Sequence, residues 1–206
     1  MRHYNRIFAL LVLLVLFEAS ESPACLRKGH RRPSVLRNRD SDRIRKARQE
    51  AAIEEFRKQG GMVYTADDAI WHGGITLALE ARHLTDANMR RLADMPGLME
   101  LKFGGGMAKR TQPTDAQLVH LRKLTQLRVL VLSNTFVTDE GFAHLAGLKN
   151  LEHLDLGYSR VTYNGLARLI RQLPKLKWLY IDENWQVSLE QVRMLERMRP
   201  GCTVIR

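Results

Sequence analysis

His153 and Asp155 stand two residues apart in the run Leu151-Glu152-His153-Leu154-Asp155-Leu156. On an extended strand alternate residues share a face, so an imidazole and a carboxylate would lie side by side. Asp182 follows the similar run Leu176–Ile181 and would join them on a neighbouring strand. Such a trio offers nitrogen and oxygen ligands to a divalent metal, but three loosely placed ligands on a flat sheet make a poor coordination sphere. A second candidate is the loop Gly104-Gly105-Gly106-Met107-Ala108-Lys109-Arg110-Thr111, which follows the strand-like Leu101–Phe103. A phosphate loop needs a glycine before its lysine and a Ser or Thr directly after it. Ala108 and Arg110 break both requirements, and the segment reads as an insert. His120 and His144 recur 24 residues apart, in a column continued by Arg91, Arg168 and Met194, which is a solvated helix flank rather than a ligand set. No Ser or Cys sits beside a base at a recognisable nucleophile elbow. These residues provide no catalytic group, no metal site and no cofactor site. They direct attention from catalysis to binding.

The elements that carry them repeat. Leu127–Leu148 (LRVLVLSNTFVTDEGFAHLAGL) aligns without gaps on the segment starting at Leu151, a shift of 24, and a third copy starts at Leu176, a shift of 25. Upstream copies start at Gly74 and at Leu98, the latter lengthened to 29 residues by the glycine-rich insert. The shared pattern is L-x-x-L-x-L followed by V-T-D-x-G-L-x-x-L-x-x-L. Its first half alternates, as a strand does. Its second half, with Phe142, Leu145 and Leu148, has helical spacing. Thr85, Thr114, Thr138, Thr162 and Ser188 stand where each helix would begin and can cap its free N–H groups. Thr114 with Gln117 and Ser188 with Gln191 also fit the capping-box spacing. One strand and one helix per repeat predict an α/β solenoid of about five units with a parallel sheet on its concave face. A single unit cannot bury its apolar side, whereas a stack can.

The chain resembles leucine-rich-repeat proteins of the ribonuclease-inhibitor-like class, whose repeats carry V-T-D-x-G-L after L-x-x-L-x-L. The matching residues are Val137-Thr138-Asp139-Glu140-Gly141-Phe142 and Val161-Thr162-Tyr163-Asn164-Gly165-Leu166, and the resemblance covers roughly residues 74–198. It implies a protein-binding scaffold without a cofactor, closed by a last strand near Pro200–Ile205. Asp139 is replaced by Tyr163 and then Leu189 in later repeats, and only Asn184, beside Thr135 and Ser159, occupies the place of an asparagine ladder. A different turn chemistry is therefore expected there.

Outward strand positions would form three columns on the concave face: Thr76, Glu100, Val129, His153 and Trp178; Ala78, Lys102, Val131, Asp155 and Tyr180; Glu80, Gly104, Ser133, Gly157 and Asp182. Large aromatic residues are frequent interface anchors. The expected partner-binding residues are His153, Asp155, Trp178, Tyr180 and Asp182, with Val129, Val131 and Lys102 alongside, facing a basic or extended protein. The competing reading has Trp178 and Tyr180 packed over the C-terminal cap.

The rest of the chain supplies an address. Residues 1–24 combine Arg2 and Arg6, the unbroken apolar run Ile7–Phe17 and a small-residue end at Ser22-Pro23-Ala24. That is a secretory signal peptide. Its 11 apolar residues fall short of the roughly 20 that cross a bilayer as a helix. Export to a periplasmic, cell-envelope or extracellular location follows, although basic residues just downstream favour the cytoplasmic side. Cys25 directly follows Ala24, so lipidation of Cys25, a plain thiol and a pair with Cys202 all stay open. Two cysteines exclude a disulfide-dense scaffold. Of the net charge of +11, residues 26–48 hold ten basic residues against Asp40 and Asp42, so the folded part is nearly neutral. Residues 25–42 read as a basic disordered linker, which either floats free or touches an anionic membrane or cell-envelope surface. Without an aromatic residue to stack on bases, nucleic acid is not an expected partner. Residues 43–73 read as an N-terminal cap. Its helix presents Ile44, Ala47, Ala51, Ile53 and Phe56 and ends at Gly60-Gly61, and a hairpin pairs Met62–Tyr64 with Ile70–His72 around Ala66-Asp67-Asp68. Residues 74–206 form the repeat domain.

Overall fold

The computed structural model describes residues 39–58, 61–64, 75–79, 85–95, 97–103 and 113–206. The apolar N-terminal run, Cys25, the arm as far as residue 38, Ile70–His72 and the glycine loop Gly104–Thr111 lie outside them.

Seven strands form one sheet in chain order: β1 (Met62–Tyr64), β2 (Ile75–Leu79), β3 (Leu98–Phe103), β4 (Val129–Val131), β5 (His153–Asp155), β6 (Trp178–Tyr180) and β7 (Thr203–Ile205). From β2 to β7 every pairing is parallel, and the register matches the repeat alignment except at the start of β2, where Ile75 pairs with Leu98 before the register shifts at Thr76. Leu77, Leu101, Leu130, Leu154, Leu179 and Val204 face one another along one row. All six are buried, and with Leu132, Leu156, Ile181 and the helix leucines they make one continuous core. Parallel strands need a crossover between them, and the convex segments supply it. These are helices α2 (Asp86–Arg91), α3 (Tyr163–Gln172) and α4 (Leu189–Met198), and 3-10 helices at Asp115–Lys123 and Gly141–His144. The architecture is a leucine-rich-repeat solenoid.

At the N-terminus the structure differs from the sequence expectation in two places. Helix α1 spans Arg39–Lys58 and so begins inside the stretch read as linker. The buried face of α1 is Ala52, Ile53 and Phe56, whereas Ile44, Ala47 and Ala51 are exposed. Met62–Tyr64 is a strand; its expected hairpin mate Ile70–His72 lies outside the described residues, and it pairs antiparallel with β2, Val63 opposite Leu77. That pairing satisfies the backbone groups along the free edge of the first repeat, which a hairpin lying apart from the sheet would leave open. Gly61 N–H closes α1 on the Phe56 carbonyl at 2.8 Å.

The turn from strand to helix shows why T-D-x-G recurs. Asp115 reaches into the next repeat, where Thr138 N–H donates to its Oδ1 at 2.9 Å and the Thr138 hydroxyl to its Oδ2 at 2.7 Å. Asp139 repeats this on Thr162, at 2.9 and 2.5 Å. The carboxylate that crosses over occupies the space a β-carbon would need on Gly141 or Gly165. Glycine one repeat after Asp115 and Asp139 leaves room for the crossing carboxylate; after Asp86 the place holds Gln117, whose Nε2 donates to Asp86 Oδ1 at 3.4 Å while its Oε1 accepts from Thr114 N–H. Where Tyr163 replaces the aspartate, the following repeat has no glycine at this place. Ser188 and Gln191 cap each other, with Gln191 N–H donating to Ser188 Oγ at 3.2 Å and Ser188 N–H to Gln191 Oε1 at 2.9 Å. Two solutions thus alternate: a cap lent by the neighbour, with glycine, or a self-contained box, with glutamine. On the strand side of each turn, Asn134, Tyr158 and Glu183 share a left-handed φ of 56°, 55° and 56°. Thr135 and Ser159 hydroxyls donate to the carbonyls of Leu132 and Leu156, each at 2.6 Å, and Asn184 Nδ2 donates back to Leu156 of the preceding repeat at 2.7 Å.

The last strand is protected. Val204 N–H points away from β6 and donates to Glu196 Oε1 of α4 at 3.3 Å. A filled donor is a poor template for another strand. Glu196→Ala is expected to cost about 1 kcal/mol and to speed hydrogen exchange at Val204 while leaving Leu179 protected. Amide exchange followed by NMR reads both sites, and unchanged exchange at Val204 would refute the blocking role. Among the described residues no helix is long and apolar enough to cross a membrane.

Candidate functional site

The concave face is set by the strand register. Val129, His153, Trp178 and Thr203 are aligned across β4–β7, with Val131, Asp155, Tyr180 and Ile205 in the next row. The inward leucines between the rows fix each strand against the core, so the outward side chains stand on a rigid floor. His153 and Trp178 stack with ring centroids 6.3 Å apart and planes inclined by 18°. Both are half-buried. Tyr180 is outward in register but only 8% exposed, so it forms floor rather than contact surface. Val129 and Val131 are half-buried beside it. Lys102 lies at the other end of the row, and its ammonium is 2.7 Å from the Glu100 carboxylate. Cys25 lies outside the described residues.

Asp155 is the unusual group. Its Oδ1 accepts Gly157 N–H at 2.9 Å, and the Ser133 hydroxyl also hydrogen-bonds it. A side chain on Gly157 would crowd both Asp155 and the Asp182 carbonyl, so glycine allows this close approach. Burial pushes the Asp155 carboxyl up to about 6, against the hydrogen bond from Gly157 and with some help from the charge of Asp182. Burial also raises Asp182, and the Glu183 charge adds to it. Tyr180 is pushed up to about 12 by burial and by the charges of Asp155 and Asp182. His153 moves the other way. Burial lowers it to about 4, although the Glu152 charge opposes this. The face therefore carries a neutral imidazole at pH 7 beside carboxylates that repel one another.

Neither Asp155 nor Asp182 has a cation partner among the described residues. Glu152 contrasts with them. Burial alone would raise it, but hydrogen bonds from Arg128 and Lys177, together with their charges, outweigh burial and hold it below the usual carboxylate range. Arg128 Nε donates to Glu152 at 2.7 Å, and Lys177 Nζ approaches it at 3.1 Å. Among the described residues no three His, Cys, Asp or Glu side chains converge as a metal site.

The structure thus brings His153, Asp155, Trp178, Tyr180 and Asp182 together with Val129 and Val131, and places Lys102 next to Val131 in the same row, paired with Glu100. Sequence reasoning missed the rim beside them. Phe136, Tyr158 and Trp185 are exposed on successive strand-to-helix turns, Trp185 at 83%, and the Arg160 guanidinium lies 5.3 Å from the centroid of the Phe136 ring. Aligning the residue after Thr135, Ser159 and Asn184 would have put Phe136, Arg160 and Trp185 in one column.

No protein-family model matches the chain, and no curated protein matches it. Solved structures do match. Internalin C2 of Listeria monocytogenes is 22% identical over 56% of this chain and 54% of its own, with a TM-score of 0.35. The internalin inlF of the same organism is 17% identical over 56% of this chain and 36% of its own, at 0.37. The leucine-rich-repeat ectodomain of the receptor kinase SOBIR1 of Arabidopsis thaliana is 17% identical over 70% and 76%, at 0.36. The chain spans about half the length of the first and about a third of the second. These likenesses are distant, and the solenoid assignment stands on the chain's own strand ladder.

Proposed function

We propose that the chain is a non-enzymatic scaffold that holds a protein partner along its concave sheet, and that it works outside the cytoplasm. The observation that carries this reading is the pair of half-buried carboxylates, Asp155 and Asp182, without a cation partner among the described residues and on the same face as the stacked His153 and Trp178. A buried, unneutralised carboxylate is unfavourable unless something supplies the missing charge. An extended segment with a lysine or arginine at its centre supplies it, while the indole and the imidazole give flat area with little side-chain entropy to lose. Export rests on the apolar run Ile7–Phe17 and the small residues before Cys25.

A random peptide library selected on the intact chain is expected to yield basic sequences. Trp178→Ala should weaken their binding at least about tenfold by calorimetry, as loss of a central aromatic anchor does. Selected peptides without basic residues, or undiminished binding to the Trp178→Ala chain, would refute the concave-face reading. Mass spectrometry of the mature N-terminus tests export separately. It should begin near Cys25, and an intact Met1 would refute cleavage.

A further inference from the structure

The near-neutral charge of the folded part conceals how the charge is arranged. Strands β4, β5 and β6 are all reached from the same side, through the turns that follow the convex helices. That edge carries Arg122, Lys123, Lys149, Arg171 and Lys175, all exposed, and the half-exposed Arg199. None of the six pairs with a carboxylate among the described residues. Lys149 Nζ donates to the Gln172 carbonyl at 2.9 Å and Lys175 Nζ to Asn150 Oδ1 at 2.7 Å. These neutral acceptors position the ammonium groups without cancelling them. Glu152 is the acidic residue of the strand starts here, and Arg128 and Lys177 already share it. At the opposite ends of the strands lie Asp155, Asp182 and Glu183, so charge is separated across the sheet.

Cations are favoured at helix C-termini, which accounts for Arg122, Lys123 and Arg171 in their last turns. It does not account for Lys149 and Lys175, which lie beyond the helices. The edge also continues onto the N-terminal helix. Gly97 N–H, in the helix-to-strand turn of the first repeat, donates to Gln49 Oε1 of α1 at 3.4 Å. The turns of α1 just before Gln49 expose Arg43, Arg45 and Arg48, with Lys46 paired to Glu50 at 3.9 Å, and Asp94 is the exposed acid of the first repeat at this edge. At the other end a shallow cleft of about 300 Å³ opens between Lys175, Lys177, Arg199 and Gly201.

We propose that this edge is a membrane-facing surface that takes the headgroups of anionic lipids. The cations are spread over two rows and a neighbouring helix rather than strung along a groove, which suits a plane better than a thread. The helix-to-strand turns hold no aromatic residue to stack on a base or a sugar, which disfavours nucleic acid and glycan strands. Glu152 also lines the cleft and holds Lys177, so the cations it offers to a lipid phosphate are Lys175 and Arg199. The domain is then no spacer on a basic tether. It lies edge-on against the bilayer and leaves the concave face open to a partner.

The test measures partitioning of the chain beginning at Cys25 onto phosphatidylcholine vesicles with and without about 30% phosphatidylglycerol, at about 0.1 and about 0.5 M salt. The ratio of the two isolates the dependence on lipid charge. Lys149→Glu with Arg171→Glu and Lys175→Glu should lower the ratio at least about tenfold at low salt, and the milder Lys149→Gln with Lys175→Gln should lower it in the same direction. Both variants should keep the thermal midpoint of the parent. Arg27→Gln with Lys28→Gln, Arg31→Gln and Arg32→Gln, which leaves the edge intact, should retain a salt-sensitive preference for anionic vesicles. An unchanged ratio for the edge variants overturns the inference while a tether through the arm survives. Capture of heparin or single-stranded DNA without any preference for anionic vesicles overturns it too.

Discussion

Asp155→Asn is expected to stabilise the folded chain by about 1–3 kcal/mol at about pH 7.5 and to have almost no effect near pH 4. Asn keeps the acceptor for Gly157 N–H and can still meet the Ser133 hydroxyl, so the hydrogen bonds of the site survive. What it removes is a charge that burial disfavours. The folded carboxyl titrates near 6, above its ordinary value of 3.8. Above pH 6 it is ionised in both folded and unfolded chains, and the folded chain bears the full penalty. As pH falls through 6 the folded chain takes up the proton first and the penalty is relieved, until below 3.8 both states are protonated. His153 has the opposite slope. Its folded value near 4 lies below the ordinary 6.5, so between those values the unfolded chain binds the proton and acid destabilises the fold. The two neighbours on β5 therefore oppose each other across about pH 4–6. Relative to the parent, acid should stabilise a His153→Gln chain and destabilise an Asp155→Asn chain. Urea melts at about pH 4.5 and about pH 7.5 measure both slopes. Equal stability of Asp155→Asn and parent at the higher pH would show that Asp155 is not strained by burial.

A chain that keeps a destabilising carboxylate on its most rigid face has a use for it, and the same variant tests that use. Asp155→Asn should gain stability and lose affinity for basic peptides, a trade that marks a binding position rather than a packing one.

Much of the fold was legible because burial acts on every repeat alike. Leu130, Leu154 and Leu179 each face the core, so a period of 24 or 25 residues is enough to find the strands, their register and their parallel order. Features that join one repeat to the next were less visible. The bond from Asp139 to Thr162 links residues 23 apart, and nothing in either local motif shows the partner. Tyr180 was placed on the correct face, but its near-complete burial depends on how neighbouring side chains lean over it. The basic edge escaped because a net charge adds Glu140 and Lys149 together although they sit at opposite ends of the repeat. Strand β1 is legible as an apolar run, but its pairing with β2 is not, because the local pattern offers Ile70–His72 as a nearer mate.

The crossing aspartate makes a prediction whose sign changes. Gly165→Ala alone should destabilise the domain by about 2–4 kcal/mol, because the new methyl displaces the Asp139 carboxylate and leaves the partly buried Thr162 N–H and hydroxyl without their charged acceptor. Asp139→Ala alone should cost about 2–3 kcal/mol for the same lost bonds. In an Asp139→Ala chain, however, the space above Gly165 is empty. Gly165→Ala should then stabilise by up to about 1 kcal/mol, since the residue lies in the first turn of α3 and alanine favours a helix. Gly165→Gln in that background should do better still, because Gln at this place can cap Thr162 N–H as Gln191 caps Ser188. Chemical denaturation of the four chains measures the coupling as a double-mutant cycle. A cost for Gly165→Ala that is the same with and without Asp139 would mean that the glycine serves its own turn alone. A reversal of sign would mean that the repeats with glycine at this place are finished by their predecessors, and that T-D-x-G is there a motif read across the stack rather than along the chain.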